Sequence, residues 1–248
     1  MNPPHIFYDL VKSLKLLGIA KNDVIFVHSS FKRLGTVEGG ASTVIKALSK
    51  VVGPNGLILM PSFNLVAGSN EVRSKGWDIL TTPSTVGWLT ECFRLMPNTF
   101  RSDHYSHSVA ALGYDAEQFI SGHLHNEGYK SPWDLKPWGK TYGVESPMHK
   151  AYTTNGKLLM LGVNYDSSTY MHFIEVLCWN KMLAECAKAA YPRINRMALG
   201  AFWDRVGSIN RAFVGNADSR LFIIKEYVDT LYKEFFNNPT HYLTNTNA

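Results

Sequence analysis

The sequence contains few cysteines and no long apolar run. Three cysteines, Cys92, Cys178 and Cys186, are scattered along 248 residues without a paired spacing. That pattern suits a reducing compartment and argues against a disulfide framework or a zinc knuckle. No apolar stretch approaches the ~20 residues that a membrane helix needs, and the N-terminal residues do not have the composition of a secretory leader. We therefore expect a cytoplasmic protein with no membrane partner.

The common nucleotide and hydrolase signatures are also missing. The chain contains no GxGxxG, no GxxxxGK[ST] and no GxSxG motif. A Rossmann dehydrogenase, a P-loop NTPase and an α/β-hydrolase each lose their main support, because those motifs supply the backbone geometry that their chemistry requires.

The charge of the chain points to an anionic ligand. The formal net charge is +5 and the sequence pI is about 9.0, which favours a negatively charged ligand or partner. The basic residues are spread along the chain, with no Lys/Arg block and no recognisable nucleic-acid motif, so we expect no nucleic-acid partner. A phosphorylated cofactor accounts for the same charge.

Hydrophobic periodicity predicts an α/β fold. Residues 5–18 have helical spacing, residues 23–28 read as a buried strand, and a helix at 41–52 leads to a strand at 57–60. Strand, glycine-bearing loop, helix and strand make a βαβ unit, which implies parallel strands. We predict a single domain over residues 1–248, with a mainly parallel central sheet flanked by helices. A periodic closing helix is predicted over 218–236.

Three connections are long or polar enough to carry ligands. Glycines between residues 28 and 40 permit close approach of a ligand to the backbone, although a merely tight connection would also contain them. The polar stretch from 62 to 82 is expected to be a surface loop. The segment 114–155 is rich in Trp, His, Pro and Gly and is expected to be largely irregular and to bind substrate. His104 and His107 lack a third ligand at a familiar spacing, so we expect no metal site.

The most informative stretch runs from 156 to 179. An apolar strand at 158–163 ends in the polar turn 164–168, whose short side chains are typical helix caps, and a helix then carries His172 and Glu175. Residues three apart lie on the same helical face. The pair has two interpretations: a general base whose tautomer is fixed by a carboxylate, or a half-buried histidine satisfied by an acidic neighbour. Spacing alone does not separate them.

Short motifs along most of the chain then resemble one family. They are His28-Ser29-Ser30, Leu34-Gly35, Val37-Glu38-Gly39-Gly40-Ala41, Val52-Gly53-Pro54-Asn55-Gly56, Met60-Pro61-Ser62-Phe63, Arg101-Ser102 with His104, Ser108-Val109-Ala110-Ala111-Leu112-Gly113, Gly143 with Ser146-Pro147, Leu161-Gly162-Val163, and Thr169 with His172 and Glu175. In this order they are similar to the aminoglycoside 3-N-acetyltransferase family.

The resemblance implies a fold distinct from that of the GNAT acetyltransferases, acetyl-CoA (coenzyme A) as co-substrate and no metal. It implies that His172 is the base that deprotonates the amine, that Glu175 supports it, and that Thr169 contacts the thioester or pantetheine. The residues implied to border the coenzyme are His28, Ser29, Ser30, Leu34, Gly35, Val37, Gly39, Gly40, His107 and Ser108.

The acceptor is predicted to be a small-molecule amine of an aminoglycoside or a related amino sugar. We expect it to contact Ser62, Asn64, Asp78, Glu145 and Asp166. Because aminoglycosides are polycations and the chain is net basic, a phosphorylated or nucleotide-linked amino sugar is an alternative acceptor. A non-catalytic protein that binds an anionic ligand or nucleic acid is a second alternative. The protein is expected to be a monomer or homodimer.

Overall fold

A seven-stranded sheet forms the centre of the computed structural model, which describes residues 3–65 and 68–244. Its strands are β1 (Val24–Ser29), β2 (Leu57–Pro61), β3 (Phe100–Arg101), β4 (Val109–Gly113), β7 (Lys157–Leu161), β8 (Asn210–Val214) and β9 (Ala217–Ile223). Their order in the sheet is β3-β4-β2-β1-β7-β9-β8. Two short strands, β5 (Gly128–Tyr129) and β6 (Tyr142–Gly143), pair separately.

The sheet is parallel at its centre and antiparallel toward both edges. Strand β1 pairs in parallel with β2 on one side and with β7 on the other. Strands β4 and β3 continue the sheet antiparallel beyond β2, and β9 and β8 do the same beyond β7. The predicted α/β fold with a central sheet is confirmed, while the parallel part is limited to its three middle strands, so the whole sheet is mixed.

Helices cover both faces of this sheet. They are α1 (Phe7–Leu16), α2 (Gly40–Val52), α3 (Asn70–Lys75), α4 (Trp88–Arg94), α5 (Ala116–Ile120), α6 (Pro147–Thr153), α7 (Thr169–Glu185), α8 (Arg196–Val206) and α9 (Ile224–Asn237). One buried cluster packs α1, α2 and α4 against the sheet, and the other contains residues of α6, α7, α8 and α9. In the described residues no helix is long and apolar enough to cross a membrane.

The end of the chain differs from the predicted single helix over 218–236. Residues Ala217–Ile223 form strand β9, and helix α9 begins only at Ile224. Leu221 therefore belongs to the strand, where it lies opposite Leu159 of β7, and not to the helical stripe. Leu221 is three residues before Ile224 and seven before Val228, both buried in α9, so the apolar spacing is easily read as one continuous helix.

Two predicted loops also contain regular structure. The stretch 62–82 includes the short helix α3, whose N-cap Ser69 accepts a hydrogen bond from the Val72 amide. The connection 114–155 carries α5, the β5/β6 pair and α6, in which Ser146 is the N-cap and Pro147 occupies the first turn. These elements are short, and tertiary contacts rather than local periodicity define them.

The carboxyl ends of β1 and β7 lie side by side. Ser29 of β1 is in register with Leu161 of β7, and the Ser30 amide donates to the Leu161 carbonyl at 2.9 Å. Parallel strands bring the loops that follow them to the same edge of a sheet. The residues after β1 and the turn that enters α7 therefore meet, as the sequence predicts.

Candidate active site

A cleft of about 440 Å³ opens at this edge of the sheet. The described residues that line it are His28, Ser29, Pro61, Phe63, Leu65, Arg73, Val86, Thr90, Ser106, His107, Trp133, Asp166, Ser167, Ser168, Thr169 and His172. Six residues predicted from the sequence are among them: His28, Ser29, His107, Asp166, Thr169 and His172. The cleft is thus built from the ends of β1 and β2, from the turn that leads into α7 and its first turn, and from residues of α3, α4 and the connections between these elements.

Helix α7 begins against the imidazole of a neighbouring strand. The Thr169 amide donates to His28 Nε2 at 3.1 Å, and the side chain of Ser168, the N-cap residue, makes no capping bond. The sequence predicts that a side chain of the polar turn 164–168 caps this helix, but the first amide of α7 is instead bonded by His28 of β1. Since His28 accepts at Nε2, its proton is on Nδ1. Burial, and then the nearby His172, lower the pKa of His28 to about 3.

His172 and Glu175 are in contact, as their spacing predicts. Nδ1 of His172 lies 3.0 Å from Oε2 of Glu175. The glutamate side chain is 3% exposed and that of His172 is 28% exposed. No described residue makes a hydrogen bond to Nε2 of His172, and the ring lines the cleft. One edge of the imidazole is fixed by the protein, and the other is available to a ligand.

Glu175 is held by three residues and not by His172 alone. Arg196, at the start of α8, donates from Nε to Oε1 at 2.9 Å and from Nη2 to Oε2 at 3.0 Å. The Tyr191 hydroxyl donates to Oε2 at 3.0 Å. Burial alone would raise the pKa of Glu175, but the hydrogen bonds from His172 and Arg196 outweigh it and lower that pKa. Glu175 is therefore a carboxylate at neutral pH.

Arg196 also approaches the histidine itself. Its Nη2 lies 2.9 Å from Nδ1 of His172. Nδ1 has one site, so it either donates a proton to Glu175 or accepts one from Arg196. Only the first arrangement leaves a lone pair on Nε2 for a proton from a ligand. The arrangement in which Nδ1 donates to Glu175 is favoured, because the buried carboxylate is a stronger acceptor than the imidazole for hydrogen bonds from His172 and from Arg196.

Aromatic rings and a second histidine surround His172. The Trp133 ring lies edge-on to it at 5.0 Å between centroids, and the His107 ring does so at 5.9 Å. His107 is fixed by a 2.7 Å hydrogen bond between its Nδ1 and the Ser106 hydroxyl. Burial, followed by the charges of its neighbours, holds the pKa of His107 well below its ordinary value. His107 is therefore neutral, and His172 is the histidine of the cleft that is not fully enclosed.

Ser29 offers an unpaired polar atom at the same place. Its Oγ is buried, has no hydrogen-bond partner in the described structure, and belongs to a residue that lines the cleft. A buried hydroxyl without a partner is costly in the absence of a ligand. The Ser29 hydroxyl is therefore a group of β1 that can make a hydrogen bond to a ligand in the cleft.

The remaining residues predicted to border the coenzyme lie outside the lining of the cleft. Leu34 is fully buried and Val37 nearly so. Gly35 has a positive φ of 80°, and a Cβ there would meet the Asn216 side chain at 2.5 Å. The others are Ser30, at the start of the turn after β1, and Gly39 and Gly40, which precede and begin α2. They form the segment that leads away from the cleft.

Two predicted serines lie beneath the cleft. The Ser108 hydroxyl donates to the Ser62 carbonyl at 2.7 Å, and both residues are fully buried. Arg101 donates to the same carbonyl from Nη2. Ser62 and Ser108 thus support the ends of β2 and β4 next to the lining residues Pro61 and His107, and their side chains do not line the cleft.

The residues predicted to bind the acceptor are dispersed. Asp166 lines the cleft at its exposed rim. Asn64 lines a second cavity of about 200 Å³, and Arg73 lines both cavities. The Asp78 carboxylate accepts bonds from the Leu80 and Thr81 amides, and Glu145 pairs with Lys150 at 3.1 Å. Asp78 and Glu145 line neither cavity.

Four residues of the site are not predicted from the sequence. Arg73 is on the short helix α3, which the sequence pattern does not predict. Trp133 lies in the long connection that was expected to bind substrate, so the unusual composition of that connection did indicate the region of Trp133. Tyr191 and Arg196 reach Glu175 from a segment with no motif. No local pattern identifies such a contact, because it depends on how α8 packs against α7.

A family model and several known proteins are similar to this chain over most of its length. The family model described as aminoglycoside 3-N-acetyltransferase matches residues 26–235. YokD of Bacillus subtilis strain 168, an SPbeta prophage-derived aminoglycoside N(3')-acetyltransferase-like protein, is 29% identical over 95% of this chain and 94% of its own. Aminoglycoside N(3)-acetyltransferase IV of Salmonella is 28% identical over 95% of this chain and 89% of its own.

A solved structure has a similar fold. A mutant of the aminoglycoside acetyltransferase AAC(3)-IVa, in complex with gentamicin, superposes with a TM-score of 0.78 at 26% identity. The superposition covers 99% of this chain and 93% of that chain. The similarity therefore extends over nearly the whole chain and includes every element that lines the cleft.

Proposed function

Because this chain belongs to the aminoglycoside 3-N-acetyltransferase family, we propose that it transfers the acetyl group of acetyl-CoA to an amine of an aminoglycoside or a related amino sugar. The Salmonella relative is named for that activity, and the name of YokD describes it as similar to such an enzyme. The observation that carries the proposal is the cleft histidine, whose Nδ1 is held by a buried glutamate while its other edge faces the open space.

His172 acts as the general base in this proposal. The amine nitrogen attacks the thioester carbonyl, the C–S bond breaks, and CoA leaves as its thiol. Most amines of amino sugars are protonated at neutral pH, so a base near the nitrogen raises the fraction that can attack. The proton moves from nitrogen to Nε2, and Glu175 stabilises the imidazolium that forms. The nitrogen of an ammonium acceptor loses two protons in all: one can pass from Nε2 to the departing sulfur, and the other goes to solvent.

Thr169 is proposed to stabilise the oxygen of the tetrahedral intermediate. It lines the cleft at the first turn of α7, next to His172. Its backbone amide already donates to His28, so the hydroxyl is the group that remains for the oxyanion. The positive end of the α7 dipole lies at the same place and favours the developing negative charge.

The coenzyme is proposed to enter from the segment between β1 and α2. The unpaired Ser29 hydroxyl gives it a first hydrogen bond at the cleft. Gly40, with a positive φ of 65°, leaves space for a ligand at the start of α2, because a Cβ there would meet nothing within 4 Å. A cytoplasmic location is part of this proposal, and the three free cysteines and the use of acetyl-CoA support it.

The test is the variant His172→Gln, which keeps a hydrogen bond to Glu175 and removes the base. Loss of a general base lowers turnover by about 10²- to 10⁴-fold. We expect that loss in kcat, measured as thiol released from acetyl-CoA in the presence of gentamicin, glucosamine or glucosamine 6-phosphate. The affinity for acetyl-CoA, measured by calorimetry, should change less than threefold.

The matched control is His241→Gln, which changes an exposed histidine near the end of the chain. It should leave turnover and affinity unchanged. Full turnover in His172→Gln would contradict the assignment of the base. Absence of thiol release from the wild-type protein with all three acceptors would contradict the proposed function itself.

A further inference from the structure

The cleft contains a cation that is not paired with any carboxylate in the described part of the chain. Arg73 lines both the cleft and the adjoining cavity. Its Nη2 donates to Asn70 Oδ1 at 2.6 Å, its Nε is buried without a partner, and none of the ion pairs among the described residues includes it. We propose, on the basis of the function proposed above, that Arg73 binds a phosphate of the acceptor, so that a phosphorylated amino sugar is the preferred substrate class.

The acidic groups near Arg73 are either engaged elsewhere or exposed. Asp103 accepts a 2.8 Å bond from Trp77 Nε1, and Asp134 pairs with Lys140 at 2.9 Å. Glu71 points to solvent from the same short helix. Of the described residues that line the cleft, Asp166 is the only carboxylate, and it is at the exposed rim. The acceptor side therefore has little free negative charge.

A second cation lies behind the adjoining cavity. The guanidinium of Arg101 stacks over the Trp77 ring at 4.3 Å from its centroid, and Trp77 lines that cavity. Arg101 donates to the carbonyls of Ile79 and Thr82, which are neutral groups. Arg101 itself lines neither cavity, and the carboxylates of Glu91, Asp103 and Asp78 partly offset its charge, so Arg73 is the guanidinium that a ligand in these cavities would meet.

This charge distribution suits one acceptor class better than the other. An aminoglycoside carries several ammonium groups, which Arg73 would repel and which only exposed carboxylates could balance. A phosphorylated amino sugar offers one oxyanion for the guanidinium fork, which matches phosphate geometry. The remainder of the sugar meets an apolar wall formed by Phe63, Leu65 and Trp133.

The position of Arg73 also fits the reaction. It lines the same cleft as His172, so an acceptor whose phosphate lies on Arg73 can present its amine to the base. Binding energy from a group that does not react can position the nitrogen and raise turnover as well as affinity.

The phosphates of the coenzyme are the other possible source of an anion, and the experiment separates the two. We compare the wild-type protein with Arg73→Gln and with the matched control Lys75→Gln, which removes an exposed charge from the same helix. For each protein, kcat and KM are measured with glucosamine, glucosamine 6-phosphate and gentamicin, and KM is also measured for acetyl-CoA.

The wild-type protein should use glucosamine 6-phosphate at least about tenfold better than glucosamine in kcat/KM, since a hydrogen bond to a charged group contributes about that much. Arg73→Gln should remove this preference and leave kcat/KM for glucosamine and the KM for acetyl-CoA within threefold. Lys75→Gln should behave as the wild type.

Three results would overturn the inference. One is a preference of the wild-type protein for gentamicin, which leaves acetyl transfer itself intact. Another is a rise in the KM for acetyl-CoA in Arg73→Gln without any change in the preference between the two sugars, which would assign the anion to the coenzyme. The third is absence of transfer to all three acceptors, which would remove the proposed function as well.

Discussion

Glu175 is bound by more donors than support of a single histidine requires. Arg196 makes two of its hydrogen bonds and Tyr191 a third, and Arg196 also comes within 2.9 Å of His172 Nδ1. A cation in this position has two consequences. It keeps the buried carboxylate ionised, and it offsets part of the stabilisation that the carboxylate gives to the imidazolium.

Removal of this cation should therefore shift the pH dependence of the reaction. Other groups around His172 are the neutral imidazoles of His28 and His107 and the Tyr191 hydroxyl, so Arg196 is the cation in direct contact with the ring. In Arg196→Met the buried Glu175 carboxylate loses a hydrogen-bonded cation that lowers its pKa, so the pKa of Glu175 should rise and the anion that supports His172 should persist only at higher pH. The acidic limb of kcat/KM should move to higher pH by about one unit, for a differential interaction of about 1.4 kcal/mol.

The matched control is Tyr191→Phe, which removes one neutral donor from the same carboxylate. It should move the limb much less, because no charge is lost. A pH profile of Arg196→Met that coincides with the wild-type profile, at unchanged stability, would exclude a role for Arg196 in the proton chemistry of His172.

The sequence identifies the His172–Glu175 pair because the contact is local. Residues three apart on a helix face the same side, so the pair follows from the helix alone. Arg196 lies 21 positions from Glu175, and Arg73 lies on a six-residue helix with no periodic signal. Both depend on tertiary packing, which no short pattern encodes.

At the level of elements, the entrance to α7 is fixed by contact with α8. Gly200 of α8 lies against the ring of Tyr165, in the turn between β7 and α7, and a Cβ there would meet that ring at 2.1 Å. The Tyr165 hydroxyl bonds to Asp204, one turn further along α8, at 2.5 Å. The turn that carries Asp166 and Thr169 is thus held by one face of α8.

Gly200→Ala should force these two elements apart. Overpacking of this kind costs about 1–3 kcal/mol, although alanine is the better helix former. We expect a lower thermal unfolding midpoint, by about 2–4 °C for each kcal/mol in a chain of this length, measured by calorimetry. Met197→Ala, at an exposed position of the same helix, should change the midpoint by less than half as much. Equal midpoints for Gly200→Ala and the wild type would show that the Tyr165 ring can move away from residue 200 without loss of stability.

Element boundaries were predictable where burial follows one clear period. The strands β1, β2 and β7 and the helices α1, α2 and α7 lie within a few residues of their predicted positions. Strand β9 was missed because its apolar residues continue into α9 and resemble one helical stripe. The antiparallel edges of the sheet were missed because direction is set by the course of the whole chain and not by the strand itself.

At the level of the whole molecule, the family resemblance drawn from scattered short motifs is confirmed. The fold is that of the aminoglycoside acetyltransferases, and not of the GNAT enzymes, as the resemblance implied. The order of the motifs along the chain carried this information, since each motif alone is too short to be specific. Charge and acceptor preference vary within one fold, so the family does not decide them.

Buried histidines should make the whole protein sensitive to mild acid. Burial lowers the pKa of His28 and of His104 to about 3, and it holds those of His107 and His123 well below 6.5. Below pH 6.5 the unfolded chain binds protons that the folded state excludes. Each such group therefore lowers the free energy of unfolding by about 1.4 kcal/mol per pH unit as the pH falls from 6.5 toward the folded pKa.

Urea unfolding at pH 7.5, 6.5 and 5.5 measures this effect. The free energy of unfolding should change little between the first two values and fall between the last two. His123→Gln, which removes one buried imidazole, should make the fall shallower by about 1.4 kcal/mol per pH unit. A free energy of unfolding that is flat from pH 6.5 to 5.5 would mean that these histidines accept protons in the folded protein.

In the proposed mechanism the acyl carrier brings its sulfur to the edge of His172 that faces the cleft. A crystal structure of the protein with CoA would locate that sulfur. We expect the thiol beside His172 and Thr169, with the pantetheine chain passing Ser29 and leaving along the segment before α2. A CoA molecule whose sulfur lies outside this cleft, with His172 out of its reach, would rule out this mechanism.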